Sequence, residues 1–255
     1  MTTTAPVASG VRQPRMARDV AARLAPVEYD RLLQDLRHVD AEDWRRPTDC
    51  PAWTVRDMAG HVVGMARMAA TLRESLRQDR IARKAGGSYI DALTALQVRE
   101  QADLDTASLL DRFADVGPRA AKARARTPRL LRRMPMGVPQ VVGDHLERWS
   151  NAYLLDVILT RDTWMHRMDI ARATGHAPQL TADHDGRIVA DVVDEWAERH
   201  RRPYRLELTG PAGGVFARDN APALVIDAVD FCRVLSGRRP TTPVEHELLE
   251  TAVPF

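Results

Sequence analysis

Cysteine occurs only twice in the 255 residues, as Cys50 and Cys232, too few and too far apart for a disulfide framework or a zinc ribbon. Lysine is equally scarce, at Lys84 and Lys122, so arginine carries almost all the positive charge. That bias fits GC-rich coding better than a functional signal. No apolar run reaches the ~18 residues of a membrane-spanning helix, and the opening MTTTAPVASGVRQPRMARDV has no apolar stretch resembling a secretory signal. A soluble cytoplasmic protein without a membrane partner is expected. Neither sign of charge dominates: 37 basic and 35 acidic residues give +2, against the concentrated basic surface of a nucleic-acid binder. The one basic stretch, KARARTPRLLRR at 122–133, reads as a solvated helix face or loop. No phosphate-binding loop, dinucleotide fingerprint or G-x-S-x-G elbow is present.

What is present is helical. Hydrophobic residues make up 44% of the chain, enough for a real core. Residues 1–20 lack periodicity and read as a flexible tail. Leu32, Leu33, Leu36 and Val39 recur at helical spacing over 27–39, stopped by Pro47 and Pro51. Thr54, with Asp57 three residues on, starts a second helix close to the capping-box pattern. A third spans 89–114 up to Gly117-Pro118, and a fourth 149–173, ended by Gly175. Four long helices over 21–178 predict an antiparallel bundle. Residues 183–255 predict a small α/β domain: a helix at 183–200, a strand in YRLELTG, a short strand in VFARDN and a helix at 223–235.

Asp162 and His166, four apart on the fourth helix, share one face and lie along its apolar line. A buried carboxylate needs a partner. A divalent metal would serve, and so would an ion pair or a hydrogen-bonded core pair. His61 sits at the edge of the second helix's apolar stripe, as a satisfied structural histidine or a third ligand. Two imidazoles and a carboxylate form a common catalytic metal shell with an open position. Spacing leaves these alternatives open. Asp144, His145 and Glu147 read as capping or solvated groups. His176, His184, His200 and His246 fall in loops or at helix ends. Cys50 precedes a helix N-terminus, but no base partner is evident for it and packing is the expected role.

The run DAEDWRRPTDCPAWTVRDMAGHVVG resembles the first half of the actinobacterial maleylpyruvate isomerase-like family, whose pattern is D-W-x-x-P-T-x-C-P-G-W-T-V-x-D-x-x-x-H. LLDVILTRDTWMHRMDIARATG resembles its E-x-x-x-H-x-x-D helix, and VDFCRVLSGR its C-terminal helix. Two departures stand out: Ala52 replaces Gly, and Asp162 replaces Glu, one methylene shorter. The resemblance implies a mostly α fold, a DinB-like four-helix bundle followed by a small α/β C-terminal domain. It also implies a divalent metal, usually zinc, held by His61, Asp162 and His166, with mycothiol as thiol cofactor. The substrate would be a small electrophilic or anionic molecule, isomerised by or joined to the thiol. Arg233 and Arg238 are then candidates to hold its anionic groups, and Asp169 to orient His166. A thiol-independent metal hydrolase or lyase, and a non-catalytic binder of small ligands, are the competing readings.

Overall fold

The computed structural model describes residues 7–255, with side chains from residue 10 onward. The chain divides into two units. A helical unit comprises Ala17–Met134 and Asn151–Pro178, and an α/β unit comprises the described residues up to Met16, Pro135–Ser150 and Gln179–Phe255.

The helical unit is built on α1 (Arg18–Arg37), α2 (Val55–Ala70), α3 (Leu72–Ala85), α4 (Tyr89–Arg99), α5 (Thr106–Arg126) and α6 (Arg129–Arg133). A last rod runs through α7 (Asn151–Tyr153), a π-helical turn (Leu154–Ile158) and α8 (Leu159–Thr174). Its core is one cluster drawn from four of these helices. Leu32 and Leu36 of α1, Met58 and Val62 of α2, Phe113 and Ala120 of α5, and Leu159 and Ile170 of α8 are all buried in it. Tyr29 and Phe113 meet edge to face at 5.9 Å. Within each helix these positions are four, seven or eleven residues apart, close to whole helical turns, so the apolar stripe of each helix closes on the others.

Three boundaries differ from the sequence expectation. Helix α1 starts well before residue 27 and contains Pro26, because Ala21, Leu24 and Ala25 already extend its buried face. The single helix expected at 89–114 is two, α4 and α5, separated by a turn that Asp105 ends by accepting the Ser108 N–H at 2.7 Å. Gly117-Pro118 lies inside α5 rather than ending it. Gly117 serves packing: a Cβ there would stand 3.4 Å from the Tyr29 Cβ. Helices α2 and α4 approach closely at Gly64, where a Cβ would fall 2.9 Å from the Gln97 Cα.

In the α/β unit, β1 (Val7–Arg12) pairs in parallel with β3 (His145–Trp149), which pairs antiparallel with β2 (Gln140–Val142). Residues 7–20, expected as tail, therefore form a strand and a helix start, while residues 1–6 lie outside the described part. The second sheet has β4 (Tyr204–Thr209) at its centre, between β5 (Gly214–Arg218) and β6 (Ala223–Asp227). Helices α9 (Asp185–His200) and α10 (Ala228–Leu235) complete the unit. Tyr204, Leu206 and Leu208 alternate inward along β4, beside the fully buried Trp196 and Phe231. The helix expected over 223–235 is half strand: β-branched Val225 and Ile226 join the sheet, and Asp227 caps α10 by accepting the Val229 and Asp230 N–H groups.

Candidate metal centre

Helix α2 brings His61 to the centre, and α8 brings Asp162, His166 and Asp169. The α2 start is fixed by a full capping box. The Asp57 N–H donates to Thr54 Oγ1 at 3.2 Å, and the Thr54 N–H donates to Asp57 Oδ2 at 3.0 Å. On α8, the four-residue spacing sets Asp162 and His166 on one face, one turn after the π-helical turn that re-aims this rod.

His61 Nε2 lies 3.4 Å from Asp162 Oδ2, and His166 Nε2 lies 3.4 Å from Asp162 Oδ1. The two imidazoles stand edge to face at 5.2 Å. Both histidines are buried, and Asp162 keeps 19% of its side chain exposed, which is the accessible side of the cluster. One ligand atom from each of the three falls within 4.8 Å of the others. Two donors each about 2.1 Å from a tetrahedral ion stand about 3.4 Å apart, the spacing that separates Asp162 from each imidazole here. Asp162 Oδ2 is buried with no hydrogen-bond partner among the described residues. These residues fit a divalent ion.

The charges are tightly coupled. Burial pushes the Asp162 carboxyl up, but His166 and His61 beside it hold it well below the usual carboxylate range. Burial pushes the His166 imidazole down, yet the Asp162 charge, with Asp169 behind, raises it to about 9. Asp169 is fully buried, and its Oδ2 lies 3.4 Å from His166 Nδ1, on the ring edge away from Asp162.

A closed loop covers the centre. The Trp53 N–H donates to the Cys50 carbonyl at 2.9 Å, the Thr48 hydroxyl donates to the Trp53 carbonyl at 2.9 Å, and the Cys50 N–H donates to Thr48 Oγ1 at 3.2 Å. The Trp53 ring then lies 4.9 Å from His61 and 5.8 Å from His166. The same loop sets Cys50 beside His166 and Asp169, again with ligand atoms within 4.8 Å of one another. Cys50 packs against the core cluster, as expected, and two partners absent from the local sequence, His166 and Asp169, also stand next to it. Trp53 carries no signal in the sequence beyond its place in the run that leads to His61.

Residues 25–171 match the family model described as the mycothiol maleylpyruvate isomerase N-terminal domain. The chain belongs to that family. Two uncharacterized proteins from two strains of Mycobacterium tuberculosis are each 26% identical to it over 233 residues, 86% of this chain and 85% of theirs. Among solved structures, the mycothiol-dependent maleylpyruvate isomerase matches with a TM-score of 0.56 at 14% identity, over 88% of this chain and 90% of that one. A mutant of that enzyme with one histidine changed to alanine gives 0.56 at 13%. At such identity the likeness shows the fold, mostly helical with small sheets. No helix among the described residues is long and apolar enough to cross a membrane.

The other candidates in this family member divide by unit. Arg233 and Arg238 belong to the α/β unit. Arg233 is buried at the end of α10, with Nε donating to the Arg239 carbonyl at 3.1 Å, while Arg238 is half-buried. Asp144, His145 and Glu147 lie at a strand, where alternate residues share a side, so His145 Nε2 reaches Glu147 at 3.1 Å. Glu147 is buried rather than solvated. Burial pushes it up, but Arg199, at 2.7 Å, with Arg12 and the Trp149 N–H, holds it down to about 2. The basic stretch is likewise not all solvated. Arg124 is buried, donating to the Leu155 carbonyl at 2.7 Å and to Thr160, and Arg132 is buried against Asp156.

Proposed function

We propose that this chain is a metal- and mycothiol-dependent enzyme acting on a small electrophilic molecule. The observation that carries the reading is the convergence of His61, Asp162 and His166 from α2 and α8 to within 4.8 Å. These three residues would hold a divalent ion, zinc being the best match to two imidazoles and a carboxylate. Such an ion, when bound, favours thiolate over thiol at neutral pH. Reversible thiol addition isomerises a conjugated cis double bond, and net transfer leaves the sulfur on the electrophile.

The chain's own residues prepare this chemistry. Asp169 holds the His166 ring through its Nδ1 edge, so Nε2 stays turned toward Asp162. Trp53 packs against both imidazoles, limits their rotation and keeps water from that side. Asp162 supplies the negative charge that leaves the centre at one net positive charge with a divalent ion. In the α/β unit, Arg233 fixes the turn after α10 by donating to the Arg239 carbonyl.

Metal analysis of the purified protein tests the proposal. Wild type is expected to hold about one divalent ion at this centre, and His61→Ala and His166→Ala to lose most of it, as removal of a first ligand does. Full metal content in both variants overturns the reading. Activity toward a panel of electrophiles that is indifferent to added mycothiol would leave a metal hydrolase in its place.

A further inference from the structure

The His166 ring has two working edges, and only one is used by the centre proposed above. Nε2 faces Asp162 at 3.4 Å, and Nδ1 faces Asp169 at 3.4 Å. Cys50 brings a sulfur to within 4.8 Å of a His166 ring nitrogen and an Asp169 oxygen. Cys50 is half-buried and in no disulfide, and it is held there by the Thr48–Trp53 loop. A sulfur, an imidazole nitrogen and a carboxylate oxygen gathered at one point form a mixed shell that selects soft and borderline ions over magnesium or calcium.

We infer that Cys50, His166 and Asp169 form a second cation seat, for a thiophilic ion such as zinc or cadmium, back to back with the first and sharing the His166 ring. On binding, the Cys50 thiol proton and the His166 Nδ1 proton leave to solvent, and the ion takes the place of the proton between His166 and Asp169. Occupation of this seat would pin the His166 ring from behind. The seat is also the point at which soft ions would compete with the thiol chemistry in front. It does not depend on His61, which separates its fate from that of the first centre.

Cadmium is the probe, because its bond to sulfur gives an ultraviolet charge-transfer band that nitrogen and oxygen ligands lack. The full-length protein is titrated with cadmium while absorbance and bound metal are followed. Wild type is expected to take about two ions and Cys50→Ser about one, with loss of the band. His61→Ala should keep the band while losing the other ion, and Cys232→Ser should change neither quantity. A band that survives in Cys50→Ser, or a wild type that binds cadmium without one, overturns the inference. Should Cys50→Ser fail to fold, cadmium NMR of wild type decides. A resonance in the range of sulfur-ligated sites supports the seat, and only nitrogen- and oxygen-ligated resonances reject it.

Discussion

At the scale of single residues, His166 decides how the centre responds to protons. Raised to about 9 by Asp162 and Asp169, its ring carries a proton at pH 7 in the ion-free protein. As a ligand of the proposed centre the ring would have to lose that proton, so ion uptake would expel it and affinity would fall as pH drops. Calorimetry of zinc binding to Cys50→Ser, which lacks the second seat, in buffers of different ionisation enthalpy should report about one proton released per ion at pH 7. A count of zero would mean that His166 is not a ligand. His200, in the α/β unit, behaves oppositely. Burial beside Trp196, then the charges of Arg218 and Arg202, lower it from 6.5 to about 4. Its Nδ1 accepts the Arg202 N–H at 3.0 Å, a bond that needs the neutral ring. The unfolded chain therefore binds the proton first as pH falls, and stability is lost between pH 6.5 and about 4. Urea midpoints at pH 7 and pH 5 should differ more for wild type than for His200→Gln, and equal differences would reject this role.

Elements place those residues, and the close contacts between elements are where small changes cost most. Gly64→Ala on α2 would drive a Cβ to 2.9 Å from the Gln97 Cα, which neither helix can yield easily. It should destabilise the helical unit by about 1–3 kcal/mol, read from denaturant midpoints. Thr54→Ala removes the capping box of the helix that carries His61 and should cost about 1 kcal/mol. An unchanged midpoint in either variant would contradict the packing described. The capping box was legible beforehand, because Thr54 and Asp57 are neighbours in sequence. The ends of α1 and the break between α4 and α5 were not. Pro26 and Gly117-Pro118 are local stop signals, and tertiary burial of Leu24 and close packing on Tyr29 override them.

At the scale of the molecule, the two units are not consecutive stretches of chain. The sheet of β1, β2 and β3 joins residues near the N-terminus to a segment between α6 and α7, and Glu147 of β3 pairs with Arg199 of α9 at 2.7 Å. A fragment of residues 179–255 would lack that sheet and leave Arg199 and Glu195 without Glu147 and Arg12. It is expected not to fold alone, whereas addition of 7–16 and 135–150 should be needed for dispersed amide resonances. A well-folded 179–255 fragment would refute this division.

Local sequence determined the helical periodicity, the pairing of Asp162 with His166 one turn apart, the alternation of β4 and the absence of membrane-spanning runs. Each follows from the geometry of a single helix or strand and from composition. Only the tertiary structure decided that His61 meets that pair at 3.4 Å, that Cys50 stands beside His166 and Asp169, and that residues 135–150 leave the bundle for a sheet. Those contacts join distant segments, and they are set by how apolar faces pack and strand edges pair, which no local repeat encodes.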